Sequence, residues 1–151
     1  MCLGLTALLR GQATAPVQLP GELRAHVKDE RFQIVTSVRG LPLGVRDGMR
    51  MLWGSQTLDI ADPGAAFQAS GNADPNLASR RLVAAGCSSD HCLVYYELGG
   101  RAPSWRVVLF YWTPAATRFE WGGTASRGLV KIDDVLNAVL SGKIDGPTAS
   151  W

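Results

Sequence analysis

The chain has 151 residues, with 15 Lys+Arg against 13 Asp+Glu and a formal net charge of +2. That length predicts one domain, able to bury roughly two-thirds of its unfolded surface. So mild a charge, with a pI near 8.6, excludes the electrostatic footprint of a nucleic-acid binder, and a 46% hydrophobic, 19% charged composition excludes disorder.

The first fifteen residues, MCLGLTALLRGQATA, join a short apolar run to Ala13-Thr14-Ala15, a small-x-small cleavage pattern. This is the outline of a secretory signal peptide whose basic start is missing. Arg10 and Pro16 count against cleavage. The expectation is a signal-peptide remnant over 1–15 and a single α+β domain over 16–151, periplasmic or secreted, with a cytoplasmic protein as the alternative. No other window reaches the ~18–20 uninterrupted apolar residues of a membrane helix.

Leu19 to Arg31 predicts a first helix, with Pro20 at its start. Leu19, Leu23, His26, Val27 and Glu30 share one face, Arg24, Lys28 and Arg31 another, and His26 reads as a boundary residue. Phe32 to Val38 is rich in β-branched residues and reads as a strand or as a continued helix. Val45, Met49, Leu52 and Trp53 recur at helical spacing and predict a second helix over Leu43–Trp53, weakened by Gly44 and Gly48 and stopped at Gly54. Short strands are expected over Thr57–Ile60 and Ala65–Ala69, around the Asp62-Pro63-Gly64 turn. The polar loop Ser70–Ser79 lacks the ligand ladder of a calcium site.

Arg80 to Gly123 reads as four strands joined by polar turns. The expected fold class is α+β: a four-stranded antiparallel meander packed against two or three helices. Opposing Cys87 to Cys92 pairs Ala85 with Val94, Ala84 with Tyr95 and Val83 with Tyr96. In the last hairpin, pairing Trp112 with Phe119 sets Phe110 against Trp121, which puts four large rings on one face. That face is expected to be core. The opposite face carries Tyr95, Trp105, Leu109 and Tyr111 and is the candidate binding surface. A third helix follows Lys131, with Asp133 and Asp134 at its positive end and Ile132, Val135, Leu136, Val139 and Leu140 as its apolar stripe.

Cys87-Ser88-Ser89-Asp90-His91-Cys92 is the densest cluster of reactive side chains. A hairpin disulfide between Cys87 and Cys92 needs only that their Cβ atoms approach. A zinc site using Cys87, Asp90, His91 and Cys92 would strain a tetrahedral cage, and a redox dithiol has closer spacing at a helix end. The disulfide is favoured, and no metal, cofactor or catalytic residue is assigned. No nucleophile elbow, phosphate loop, dinucleotide fingerprint or zinc-protease helix occurs.

The runs VAAGCSSDHCLVYYELGG, ATRFEWGG and VLNAVLSGKIDGP resemble parts of small uncharacterised exported proteins of proteobacteria, over about the C-terminal half of the chain. The resemblance implies export and a hairpin disulfide, and carries no activity. The functional expectation is a non-catalytic periplasmic or secreted module that binds a protein or an envelope component. The alternative is a small enzyme or a metal or redox protein centred on Asp90, His91, Cys87 and Cys92.

Overall fold

The computed structural model describes residues 18–70, 74–146 and 150–151. The expected leader lies outside them. Pro20 opens the first helix, α1 (Gly21–Asp29), and Glu30 closes it in extended backbone. The uncharged stretch after it becomes a strand, β1 (Gln33–Val35), and not a continued helix. A 3-10 turn at Val38–Gly40 leads into α2 (Leu43–Leu52), which ends where Gly54 supplies a positive φ of 63°.

Thr57–Ile60 and Ala65–Ala69 do not form strands. Between them, Ala61 makes one isolated parallel bridge to Arg81. Arg81 also donates from Nη1 to the Ala65 carbonyl and stacks on the Phe67 ring at 4.4 Å, which holds the loop against the sheet edge without a ladder.

The meander follows as β2 (Arg80–Cys87), β3 (His91–Leu98), β4 (Ser104–Thr113) and β5 (Ala116–Ala125), and α3 (Ile132–Leu140) closes the chain. β1 adds antiparallel to β2, so the sheet has five strands in the order β1-β2-β3-β4-β5, where four were expected. At the entry to α3 the Asp134 carboxylate accepts from the Lys131 N–H, an acidic group at the positive helix end.

The register matches expectation from Cys87↔Cys92 through Ala84↔Tyr95 and then breaks at a bulge. Leu82, not Val83, faces Tyr96. One extra residue reverses which face every later side chain meets. Leu82 therefore packs with Ala85, Val94 and Tyr96, and Val83 packs on the opposite side. Arg81 lies opposite Glu97 and pairs with it at 2.6 Å.

A second irregularity, between Leu109 and Phe110, resets the last hairpin. Phe110 meets Phe119, Leu109 meets Trp121, and Trp112 meets Thr117. Trp121 thereby leaves the expected four-ring face for the other one.

Both faces of the central strands are buried. On one, α1 and α3 cover Ala84, Leu93, Tyr95, Val107, Leu109 and Trp121 with Val27, Ile132, Val135 and Val139. On the other, α2 covers Leu82, Ala85, Val94, Tyr96, Val108 and Phe110 with Leu41, Val45 and Met49. Each of the larger apolar side chains among them contributes about 1.5–3 kcal/mol on burial.

Gly48 lets α2 approach the sheet. A Cβ built there would stand 2.8 Å from Cε1 of Phe110. Gly48→Ala is therefore expected to destabilise the fold by about 1–3 kcal/mol through overpacking, outweighing the helix-propensity gain of up to ~1 kcal/mol. Denaturant unfolding measures the sign, and a stabilised variant would show that the ring moves aside freely.

Candidate functional site

The anticipated binding surface of Tyr95, Trp105, Leu109 and Tyr111 is not a continuous exposed patch. Tyr95 and Leu109 are fully buried at 0% exposure, beneath α1 and α3. Only Trp105 and Tyr111 keep part of their surface. They sit six residues apart on β4, about 20 Å along a strand, with buried Val107 and Leu109 between them. The four residues do share a face, but helices cover its centre. Strand alternation alone does not report that cover.

The Tyr95 hydroxyl donates to the Ser126 carbonyl at 2.8 Å. Burial pushes this hydroxyl from an ordinary 10.0 up to about 12, and burial raises Tyr96 as well.

The reactive run sits at the end of the β2–β3 hairpin. Cys87 and Cys92 are bridged, their Cα atoms 4.1 Å apart in directly opposed positions. A loop this short gains about 2 kcal/mol from closure. Ser88 organises the turn: its N–H donates to the His91 carbonyl at 2.7 Å, and its Oγ accepts from the N–H groups of Asp90 and His91. The sulfurs lie on the α2 face with Tyr96 and Phe110. His91 is one residue from Cys92 and so points to the α1 face. The disulfide expected from the sequence is present, on the opposite side of the hairpin end from His91, and the alternative grouping of Cys87, Asp90, His91 and Cys92 does not form.

His26 of α1 and the helix-capping Glu30 are the groups that meet His91 and Asp90. His91 Nδ1 lies 2.9 Å from Glu30 Oε1 and 3.0 Å from Oε2. His26 Nε2 lies 3.2 Å from the same Glu30 Oε1 and 3.2 Å from Asp90 Oδ2. The two imidazoles meet edge to face with centroids 5.4 Å apart, and His91 also stands edge-on to Tyr111.

Burial is graded across the group. The His91 and Glu30 side chains are 4% and 8% exposed, those of His26 and Asp90 53% and 41%. Both histidines of the chain converge on one carboxylate. The site opens into a cleft of about 450 Å³ lined by Asp29, Arg31, Ser88 and Ser89.

His26, Glu30 and His91 each offer one donor atom, all within 4.8 Å of one another. The sequence carried one signal for this: His26 and Glu30 share a helix face four residues apart. What it did not carry was the pairing of that face with Asp90 and His91, more than sixty residues away.

Neither the sequence nor the fold matches a family model, a curated protein or a solved structure. What bears on function is the chemistry of the site itself.

Because Tyr95 is a core residue, Tyr95→Ala is expected to cost about 3–5 kcal/mol and Tyr95→Phe about 1–2 kcal/mol for the lost hydrogen bond. A folded value above the unfolded one means that the unfolded chain ionises first. Stability attributable to Tyr95 is complete below pH 10 and is lost as pH rises toward about 12. Unfolding free energies across that window should fall less steeply in Tyr95→Phe. An unchanged slope would mean that the hydroxyl titrates freely.

Proposed function

We propose that the protein binds one divalent transition-metal ion of the zinc class between the end of α1 and the β2–β3 hairpin. The ligands are His26 Nε2, His91 Nδ1 and Glu30. The observation that carries this is the convergence of both histidines on Glu30 Oε1, at 3.2 and 2.9 Å. An ion with bonds of about 2.0–2.1 Å in tetrahedral array holds its donors roughly 3.3 Å apart. The two histidine–Glu30 separations therefore stand near bound spacing already, and all three donor atoms lie within 4.8 Å of one another.

Two imidazoles with a carboxylate suit zinc, copper, nickel or cobalt. Calcium and magnesium prefer oxygen donors throughout.

The wider reading is of a protein exported to an oxidising compartment. It draws support from the Cys87–Cys92 bridge, since disulfides persist mainly outside the cytosol. Among the described residues no helix is long and apolar enough to cross a membrane. A module that binds a protein or an envelope component keeps Trp105 and Tyr111 as its accessible residues; Tyr95 and Leu109 no longer serve it.

Chelator-treated protein titrated with Zn²⁺ in a calorimeter is expected to bind one equivalent. At hundredfold excess over Kd the unfolding free energy rises by about 2.7 kcal/mol. His26→Ala removes a half-exposed side chain, so it should fold normally and weaken binding at least tenfold. Glu30→Gln should do the same. A heatless titration, or wild-type affinity in His26→Ala, overturns the proposal and leaves the cluster as a polar clamp between α1 and the sheet.

A further inference from the structure

The metal site is not symmetric with respect to solvent. Glu30 and His91 form its buried wall, and His26 and Asp90 stand at the mouth. Asp90 reaches His26 at 3.2 Å but is not part of the three-donor group. Three protein donors on a four-coordinate ion leave one position for water or for an incoming ligand. His91 and Glu30 close the inner side, so that position faces the cleft.

The cleft has its own recognition group. Arg31 directly follows Glu30, lines the cleft and is exposed. It forms no ion pair among the described residues. Its planar guanidinium is built for two-point contact with a carboxylate or phosphate. The exposed Ser89 and the turn-forming Ser88 line the same space. One carboxylate, that of Asp90, already stands beside His26, so an oxyanion in this place is sterically admissible. It is also the group that an external anion would have to displace or share the ion with. Asp29, on the cleft wall, adds a second opposing charge.

Resting on the metal reading above, we propose that the ion keeps its fourth position open to the cleft and takes an oxyanion ligand there. A carboxylate or phosphate oxygen binds the metal, Arg31 holds the remaining oxygens, and Asp90 is the internal competitor. The site then serves a small anionic molecule, or an anionic group on a larger one, instead of holding the ion for structural purposes alone.

The probe is the Co²⁺-loaded protein, whose visible ligand-field bands report on the coordination sphere. Inorganic phosphate and acetate are titrated separately, with cobalt retention checked by equilibrium dialysis. A saturable change in the bands is expected. Arg31→Ala should weaken the apparent anion affinity about tenfold or more, Arg31→Lys should fall between, and Asp90→Asn should bind the anion more tightly than wild type. None of the three should abolish cobalt binding. A response to phosphate alone identifies a phosphate-bearing ligand, and a response to acetate alone a carboxylate. Bands unchanged throughout both titrations, or wild-type anion affinity in Arg31→Ala, overturn the inference while the metal reading stands. Failure of Co²⁺ to bind at all overturns both.

Discussion

Strand β3 has no side that tolerates water over its first six residues. His91 to Tyr96 are all buried, with Leu93 and Tyr95 on one face and Cys92, Val94 and Tyr96 on the other. An antiparallel sheet commonly leaves one face solvated, but this central strand forbids it. Two helical layers are required, and the chain supplies them from both ends: α1 and α3 on one face, α2 on the other. Ordering of the polar groups follows from that enclosure. Tyr96 accepts from Trp53 Nε1 at 3.0 Å, and Tyr95 reaches the Ser126 carbonyl, because neither hydroxyl has water to bond.

Enclosure also creates the site. For α1 to lie on the face of Leu93 and Tyr95, its end must pass the β2–β3 turn. His26 on α1 and Glu30 at its C-terminal end turn toward that hairpin. His91 projects toward the same side by strand alternation, two residues before Leu93. The polar group is therefore a by-product of how α1 covers β3, placed at the rim where burial fades into solvent.

Much of this was legible from residue pattern. Three helices, the meander and the Cys87–Cys92 staple follow from apolar periodicity, turn residues and two cysteines placed to oppose each other. What was not legible has two physical causes. The bulge at Val83 and the irregularity at Leu109–Phe110 each offset a register by one residue, and apolar side chains on both faces hide such a slip. Leu82 and Val83 are equally content on either side. The second cause is tertiary: a strand with two apolar faces reads in sequence as one core face plus one exposed patch. Tyr95 and Leu109 were mistaken in that way. The cluster at His26 fell between the two, since a histidine on a helix face gives no sign of a partner hairpin sixty residues on.

The energetics bear on why such a cluster stands where it does. As a stabiliser it is a poor device. Exposed ion pairs contribute about 0–1 kcal/mol, and burying a carboxylate such as Glu30 carries a desolvation penalty that its hydrogen-bond partners repay only in part. The other helices are anchored by apolar groups, α3 through Ile132, Val135, Ala138 and Val139 and α2 through Val45 and Met49. Within α1 only Val27 is buried. A divalent ion shared by His26, Glu30 and His91 would reverse that weakness. It would neutralise the buried carboxylate, replace marginal hydrogen bonds with coordination, and couple ligand binding to the docking of the least anchored helix. In that arrangement the free energy of α1 on the sheet is set mainly by what occupies its end. This makes α1 the element whose local opening would answer to the ion, and through the ion to any anion that reaches it from the cleft.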